Sequence, residues 1–516
     1  MNYLLKKKLH TLLAAFILAT FFSGILFAET YKNHLSDAWY PVKGKLLSVK
    51  IQGLQTIAQK KYPMTLKPSS IRAIICPHAG YDYSGAVASS AYQLLKPGIF
   101  KRVVILAPSH QNDFSGVSLP GAEYDFYKNP LGFVPLDVDM IKKLKKSSPL
   151  FAHRQQAHEL EHSIEVQIPF TATYCGDCKI VPLLIGSVSD DDIKSIADIL
   201  QPFLDEKTLL VISSDFTHYG KQFRYEPFKK DITQNIFKLD SSLVEKIQDF
   251  DLSGFSQLLQ KTQATVCGAS AIKILLNLLQ QKAFGDISSY VVGYDTSASG
   301  QKNPAHSVSY VSIVFTTQLP SDLPLQEQLT GYEKNLLLKL ARQQLLNAVS
   351  SSPNSSLEIP GMLTKSLKKA QGAFVTLYKQ ESILDHKKLR GCIGSITSSQ
   401  PLYDVVASMT ESAVLRDTRF SPVKLSEIPH ISIAVSVLTQ PYQVSSYHDI
   451  VLGTDGIILK YENAQAVYLP NVATEQGWNL EQTLSSLSEK AELDKNVWKD
   501  TKTTFEVFQA IGFSEK

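Results

Sequence analysis

From residue 70 to 316 the chain alternates short apolar runs with longer amphipathic stretches. Residues 71–76, 102–107, 179–185, 209–213, 290–294 and 309–315 are brief, β-branched and apolar, the pattern of strands buried on both faces. Between them the periodicity predicts helices at 84–95, 161–173, 189–204 and 268–279. The third opens with Ser189 three residues before Asp192, a capping-box start. Regular alternation of this kind predicts an α/β domain with a largely parallel sheet flanked by helices.

The pattern then changes. Residues 317–328 are polar with two prolines and read as a linker. The helix predicted at 332–349 gathers Leu337, Leu338, Ala341, Leu345, Ala348 and Val349 on one face. Strands follow at 373–378, 389–396, 431–438, 457–460 and 466–469, with helices at 402–415 and 480–491. This grouping alternates less regularly and predicts a second domain of α+β class. The expected organisation is a leader at 1–28, a first domain at 29–316, a linker at 317–328 and a second domain at 329–516.

The leader has a positive end, Lys6-Lys7-Lys8, an apolar stretch from Leu12 to Phe27, and Ala28 as the small residue before Glu29. It predicts export to a periplasmic or extracellular compartment. Leu26 at the third position before the cut departs from the small-residue rule. An uncleaved membrane anchor is the alternative, because the apolar run approaches spanning length. Lysine plus arginine, 52, nearly balances aspartate plus glutamate, 48, and no basic cluster lies beyond the N-terminus, so nucleic acid is not an expected partner. Of five cysteines only Cys175-Gly-Asp-Cys178 has motif spacing. A redox pair, half a zinc site and a local disulfide all fit it, and export favours the disulfide.

Candidate chemistry gathers just after the apolar runs. Pro-His78 follows 71–76, Pro-Ser-His110 follows 102–107, and Ser-Ser-Asp215-Phe-Thr-His218 follows 209–212. If these runs are parallel strands, their carboxyl ends lie side by side, where open α/β sheets bind ligands. Asp215 and His218 read as an acid–base or ligand pair, or as a helix cap with a neighbour. Cys267 stands directly before a predicted helix, where the N-terminus favours a thiolate, although most lone cysteines are buried filler. His158-Glu-Leu-Glu-His162 fits the zinc-peptidase pattern, but it is short and has no downstream third ligand in helical context. In the second domain, Leu389-Arg390-Gly-Cys392-Ile-Gly394 suggests close backbone approach. Arg390 is either an anion ligand or half of an ion pair, and Asp417 with Arg419 reads as a structural pair.

Taken together these motifs resemble two known families. Residues about 40–316 resemble the Memo family through Pro-His78-Ala-Gly-Tyr-x-Tyr-Ser-Gly, Ala-Pro-Ser-His110, Glu161-His-Ser-x-Glu165-x-Gln-x-Pro-Phe, Ser-Ser-Asp215-Phe-x-His218-Tyr-Gly and Cys267-Gly. Residues about 330–516 resemble the AMMECR family through Leu389-Arg-Gly-Cys-Ile-Gly, Asp417-x-Arg-Phe-x-Pro, Leu469-Pro-x-Val and Lys490-Ala-Glu-Leu. The resemblance implies a first domain folded like class III extradiol dioxygenases, with iron or copper held by His78, His110 and Cys267. It places His218 where dioxygenases carry a catalytic acid–base histidine, with Asp215 beside it, and makes His158 incidental. It also implies a radical S-adenosylmethionine protein as partner, as in the AmmeMemoRadiSam grouping. A thiolate replaces the carboxylate of true dioxygenases, which puts ring cleavage in doubt and leaves a peptide- or partner-binding module as the rival reading. The second domain is expected to bind a small ligand, a peptide or a partner.

Overall fold

The computed structural model describes residues 29–515 except 32–33, 122, 160, 351–357 and 383–385, so the leader at 1–28 lies outside the described residues. The first domain is built on a nine-stranded sheet. Its strands are β1 (Ile71–Cys76), β2 (Arg102–Pro108), β3 (Val117–Leu119), β4 (Phe151–His153), β5 (Lys179–Ile185), β6 (Thr208–Ser213), β7 (His218–Gly220), β8 (Ser288–Thr296) and β9 (His306–Thr316). The order is β7-β9-β1-β6-β2-β5-β3-β4, with β8 paired to β9.

The sheet is mixed. Its centre, β1-β6-β2-β5, is parallel, whereas β9 runs antiparallel to β1, β7 and β8, and β3 antiparallel to β5. Every residue of β6 is buried, as are Ile74, Ile75, Val104 and Ile105 at zero exposure. Full burial of such a side chain contributes about 1.5–3 kcal/mol, so these three strands form a stiff floor. Because β1, β6 and β2 are parallel neighbours, the chain leaves all three at the same end. His78, Asp215 and His110 follow immediately.

Helices α1 (Tyr81–Tyr92), α2 (Gln167–Cys175), α3 (Ile232–Gln248) and α4 (Ala269–Gln280) belong to this domain, and α5 (Gly331–Val349) opens the second. The helix expected at 161–173 is broken into His162–Glu165 and α2. Pro169 explains the break. It has no N–H to give the Glu165 carbonyl, and it is tolerated in the first turn of the helix that follows. A separate break lies upstream, where Glu159 is extended (φ −67°, ψ 125°), so His158 and His162 share no helical face. The zinc-peptidase geometry is therefore absent.

Cys175 and Cys178 are buried free thiols that hydrogen-bond to each other, so the expected local disulfide is not formed. No helix of the described residues is long and apolar enough to cross a membrane.

The second domain has two four-stranded antiparallel sheets with helices Leu402–Leu415 and Leu480–Lys490. Residues 317–328 form two short 3-10 turns and bury Leu323. The domains are packed together. Tyr332 of α5 sits 6.3 Å from Tyr62 and 6.0 Å from Tyr294, ring to ring. Residues 358–368 run along α3 as a strap. Gln234 donates to the Ile359 carbonyl (2.8 Å) and accepts from its N–H (3.1 Å), while Ser241 Oγ donates to Leu363 O (2.6 Å). Lys368 pairs with Glu245 at 2.6 Å, and Lys365 pairs with Asp249.

Candidate metal centre

His78 is 1% exposed, and its two ring nitrogens have different fates. Nδ1 lies 3.0 Å from Ser213 Oγ. That hydroxyl donates its single hydrogen to the Ser163 carbonyl at 2.6 Å and also accepts from Gln167 Nε2 at 2.9 Å. A serine hydroxyl has one hydrogen and two lone pairs, so here it can only accept from His78. Nδ1 must carry the proton, and the Nε2 lone pair remains. Nε2 is buried without a partner among the described residues. Burial first, then the nearby His110, hold the ring's pKa well below the usual histidine value, so it is the neutral form that ligates metals.

The Nδ1 hydrogen of His110 is fixed by another route. Glu161 accepts its backbone N–H (2.6 Å, Oε2) and its Nδ1–H (2.9 Å, Oε1), again leaving Nε2 as the free acceptor. Glu161 is buried, which alone would raise its pKa, but the His110 hydrogen bonds prevail and hold it down at about 2. Such a carboxylate–histidine pair is the usual outer support of a metal-binding imidazole. Ring stacking adds to it. His162 lies flat between His110 (4.5 Å) and Trp39 (4.2 Å), and Glu165 holds this N-terminal segment by accepting from His34 N–H, Leu35 N–H and Tyr40 OH.

The third member arrives from α4. Gly268, between Cys267 and that helix, packs so tightly that a Cβ would sit 2.5 Å from Ser214 Cβ and 2.7 Å from the Ser213 carbonyl. Only glycine there lets Cys267 approach the strand ends. One nitrogen each of His78 and His110 and the Cys267 sulfur lie within 4.8 Å of one another. The expected thiolate-favouring effect of the helix N-terminus does not prevail. Burial first, then the Asp215 carboxylate, push the Cys267 thiol well up. A cation is what would stabilise the thiolate at this position.

His218 faces that thiol. Its Nδ1 points at two carbonyls, Phe216 O (2.8 Å) and Thr265 O (3.0 Å), so Nδ1 carries the hydrogen and Nε2 is the acceptor, 3.5 Å from Cys267 Sγ. Asp215 does not orient this ring, as the sequence suggested it could. Its carboxylate accepts the His78 backbone N–H (2.8 Å), and its carbonyl accepts from Cys267 N–H (3.2 Å). Burial raises its pKa. Asp215 thus ties two members of the cluster together from behind.

His78, His110 and Cys267 are therefore brought together, His218 joins them through the thiol, and His158 is left out. His158 is buried 5.8 Å from Tyr31, ring to ring, outside the cluster. Sequence reasoning missed Ser213, whose signal was only its place at a strand end, and Trp39. A cavity of about 390 Å³ opens beside the thiol, lined in part by Ser109, Asn112, Phe114, Cys267 and Ser270. Two imidazole lone pairs and a sulfur form a borderline-to-soft donor set of the kind that binds zinc, copper or iron.

A mixed-sheet α/β domain with two histidines and a cysteine converging at the strand ends defines the class. Residues 33–314 match the Memo-like protein family, and the chain belongs to that family, with residues 338–513 matching the AMMECR1 family. It is 32% identical over 291 residues to protein MEMO1 of Rattus norvegicus, covering 54% of this chain and 95% of that protein. With protein MEMO1 of Xenopus laevis it shares 34% over 287 residues, covering 54% and 94%. A solved structure of an uncharacterized protein from Pyrococcus horikoshii is 30% identical and covers 35% of this chain and 90% of that one, with a TM-score of 0.31.

Proposed function

We propose that the first domain holds iron or copper on His78 Nε2, His110 Nε2 and Cys267 Sγ, and that it serves as a metal-dependent oxidoreductase or metal-handling protein. One observation carries this reading. Both histidines have their Nδ1 protons committed elsewhere, so two lone pairs face a thiol, and buried His78 Nε2 has no donor among the described residues. Iron or copper, when bound, supplies one-electron chemistry. The chain's own residues do the rest. His218 Nε2 takes the Cys267 proton as the sulfur becomes a ligand, and Asp215 and Glu161 hold the backbone and rings in register. The cavity beside Cys267 admits a small substrate to the sulfur side. We further propose that the protein is exported, and that it works with a radical S-adenosylmethionine protein.

The rival reading is a binding module for a peptide or partner. It is favoured by the half-exposed Trp39 ring stacked on His162 at the edge of the cluster. Metal content after purification without chelators separates the two. The proposal expects His78→Ala and Cys267→Ser each to remove bound iron and copper. Unchanged metal in both variants would sink the centre as drawn and leave the binding module.

A further inference from the structure

The Cys175–Cys178 pair stands apart from everything above. Cys175 is the last residue of α2 and Cys178 immediately precedes β5, so the pair lies at the amino ends of the parallel strands, opposite the His78 cluster. Gly176 between them adopts φ +70°, a left-handed turn that folds the two sulfurs toward each other. Both sulfurs are buried, but Asp177 is exposed. With Cys175 and Gly176 it lines a cavity of about 790 Å³, larger than the one beside Cys267.

The cavity carries charges of both signs. Lys101, Lys143, Lys179 and Lys207 border it, none within ion-pair distance of a carboxylate among the described residues, together with Arg102, which is paired to Asp137. Asp139, Asp177 and Asp205 complete the charged rim. Unpaired ammonium groups interleaved with carboxylates match a small zwitterion that carries several carboxylates and an amine.

We infer that Cys175 and Cys178 form a thiol–disulfide exchange site whose substrate is a small peptide disulfide bearing carboxylates and ammonium groups. Cys178 is the attacking sulfur. Its thiol is lowered by the hydrogen bond from Cys175, whereas that same bond and burial raise Cys175. Cys175 also sits at the carbonyl end of α2, where a negative charge is disfavoured. Access requires the exposed two-residue turn to lift. The Cys178 thiolate attacks one sulfur of the substrate, forming a mixed disulfide and expelling one small thiolate. Cys175 then gives its proton to that thiolate and attacks Cys178 Sγ. This closes the protein disulfide and expels the second small thiolate, which takes up the proton Cys178 first lost. Two protein thiols become one disulfide as one small disulfide becomes two thiols.

The test uses the full, reduced chain with oxidised glutathione as probe and peptide mass mapping as readout. The expected product is a Cys175–Cys178 disulfide that reduced glutathione reverses. Cys175→Ser should accumulate a glutathione adduct on Cys178. Thiols that persist at both positions while Cys267 or Cys392 reacts would overturn the site. Faster adduct formation on Cys175 in Cys178→Ser than on Cys178 in Cys175→Ser would overturn the assigned attacker. Uncharged hydroxyethyl disulfide should react about tenfold more slowly than glutathione disulfide, the scale of electrostatic capture by a charged cleft. Reversing Lys179 and Lys207 to glutamate should abolish that preference. A preference that survives the reversal, or none in the wild type, would overturn the role of the cavity.

Discussion

Two regions of this molecule are equally dense in motifs, yet they are built on opposite principles. Around Cys392 the charged groups answer one another. Arg390 makes two hydrogen bonds to Glu427 (2.9 and 3.0 Å), and Arg419 makes two to Asp417 (2.9 and 2.8 Å) and one to the Cys392 carbonyl. Asp417 accepts the Cys392 N–H at 2.8 Å, and Thr376 Oγ1 donates to the sulfur at 3.2 Å. Around Cys267, by contrast, the polar groups are answered on the outward side and left open on the inward side. The first arrangement closes on itself and holds strands Ala373–Lys379 and Lys388–Ser395 to the loop at 417–427. The second leaves donor capacity for something the polypeptide does not supply. A dense motif alone does not mark a site; unmet valence in a buried place does.

The comparison can be broken at its strongest point first. Arg390 and Glu427 are 11% and 16% exposed, so Arg390→Ala leaves a carboxylate answered by the Lys424 backbone N–H (2.9 Å) and by Lys379 at 3.6 Å. We expect a loss of about 3 kcal/mol from the second domain's unfolding transition, the upper end for losing hydrogen bonds to a charged group, with no change in metal content. Unchanged stability, or lost metal, would show that Arg390 serves a ligand instead.

Next in size, Ser213→Ala removes the hydroxyl that commits the His78 proton. Metal affinity measured by chelator competition should fall roughly 10- to 100-fold, as for other outer-shell partners. Affinity within twofold of wild type would mean that the ring's orientation does not depend on Ser213.

Acid should separate the regions further. The Arg390 hydrogen bonds hold the Glu427 carboxyl at about 2, against 4.5 when unfolded. A depressed carboxylate contributes stability that is complete above about pH 4.5 and disappears as pH falls toward 2. Denaturation curves of wild type and Glu427→Gln should therefore differ near neutrality and converge near pH 2; parallel curves would remove the assignment. The smallest effect is expected at His158. His158→Gln should leave bound metal unchanged, and metal lost on that substitution would revive the peptidase reading.

Much of the scaffold was readable before any coordinates. Residues 71–76 and 179–185 become strands with the predicted bounds, as does the helix at 402–415, because each is an apolar run with clear turn residues around it. The repeated strand–proline–histidine pattern pointed to His78 and His110 for a physical reason, since parallel neighbours end at one edge. Other elements went unread. Ile232, Ile236, Leu239, Leu243 and Ile247 carry helical spacing for α3, and Leu47, Ile51, Leu54 and Ala58 do so for Gly44–Lys61. These stripes are only about one residue wide per turn and lie in polar surroundings. The roles of Ser213 and Asp215 were beyond sequence reasoning altogether. Both depend on bonds to residues 46 to 137 positions away, which no local period encodes.

Glu161 and Ser163 belong to the same short turn, and between them they fix both imidazoles. The Glu161 carboxylate claims one ring's hydrogen directly, and the Ser163 carbonyl claims the other's by aiming a hydroxyl away from it. If that turn withdrew, Ser213 could rotate to donate to His78, whose hydrogen would pass to Nε2 and point inward. His110 would lose its claim at the same moment. The polarity of the inner face would invert, from one that attracts a cation to one that repels it, without a single residue being replaced. Glu161 and Ser163, two residues apart on one buried turn, therefore act as a common latch on the centre's sign.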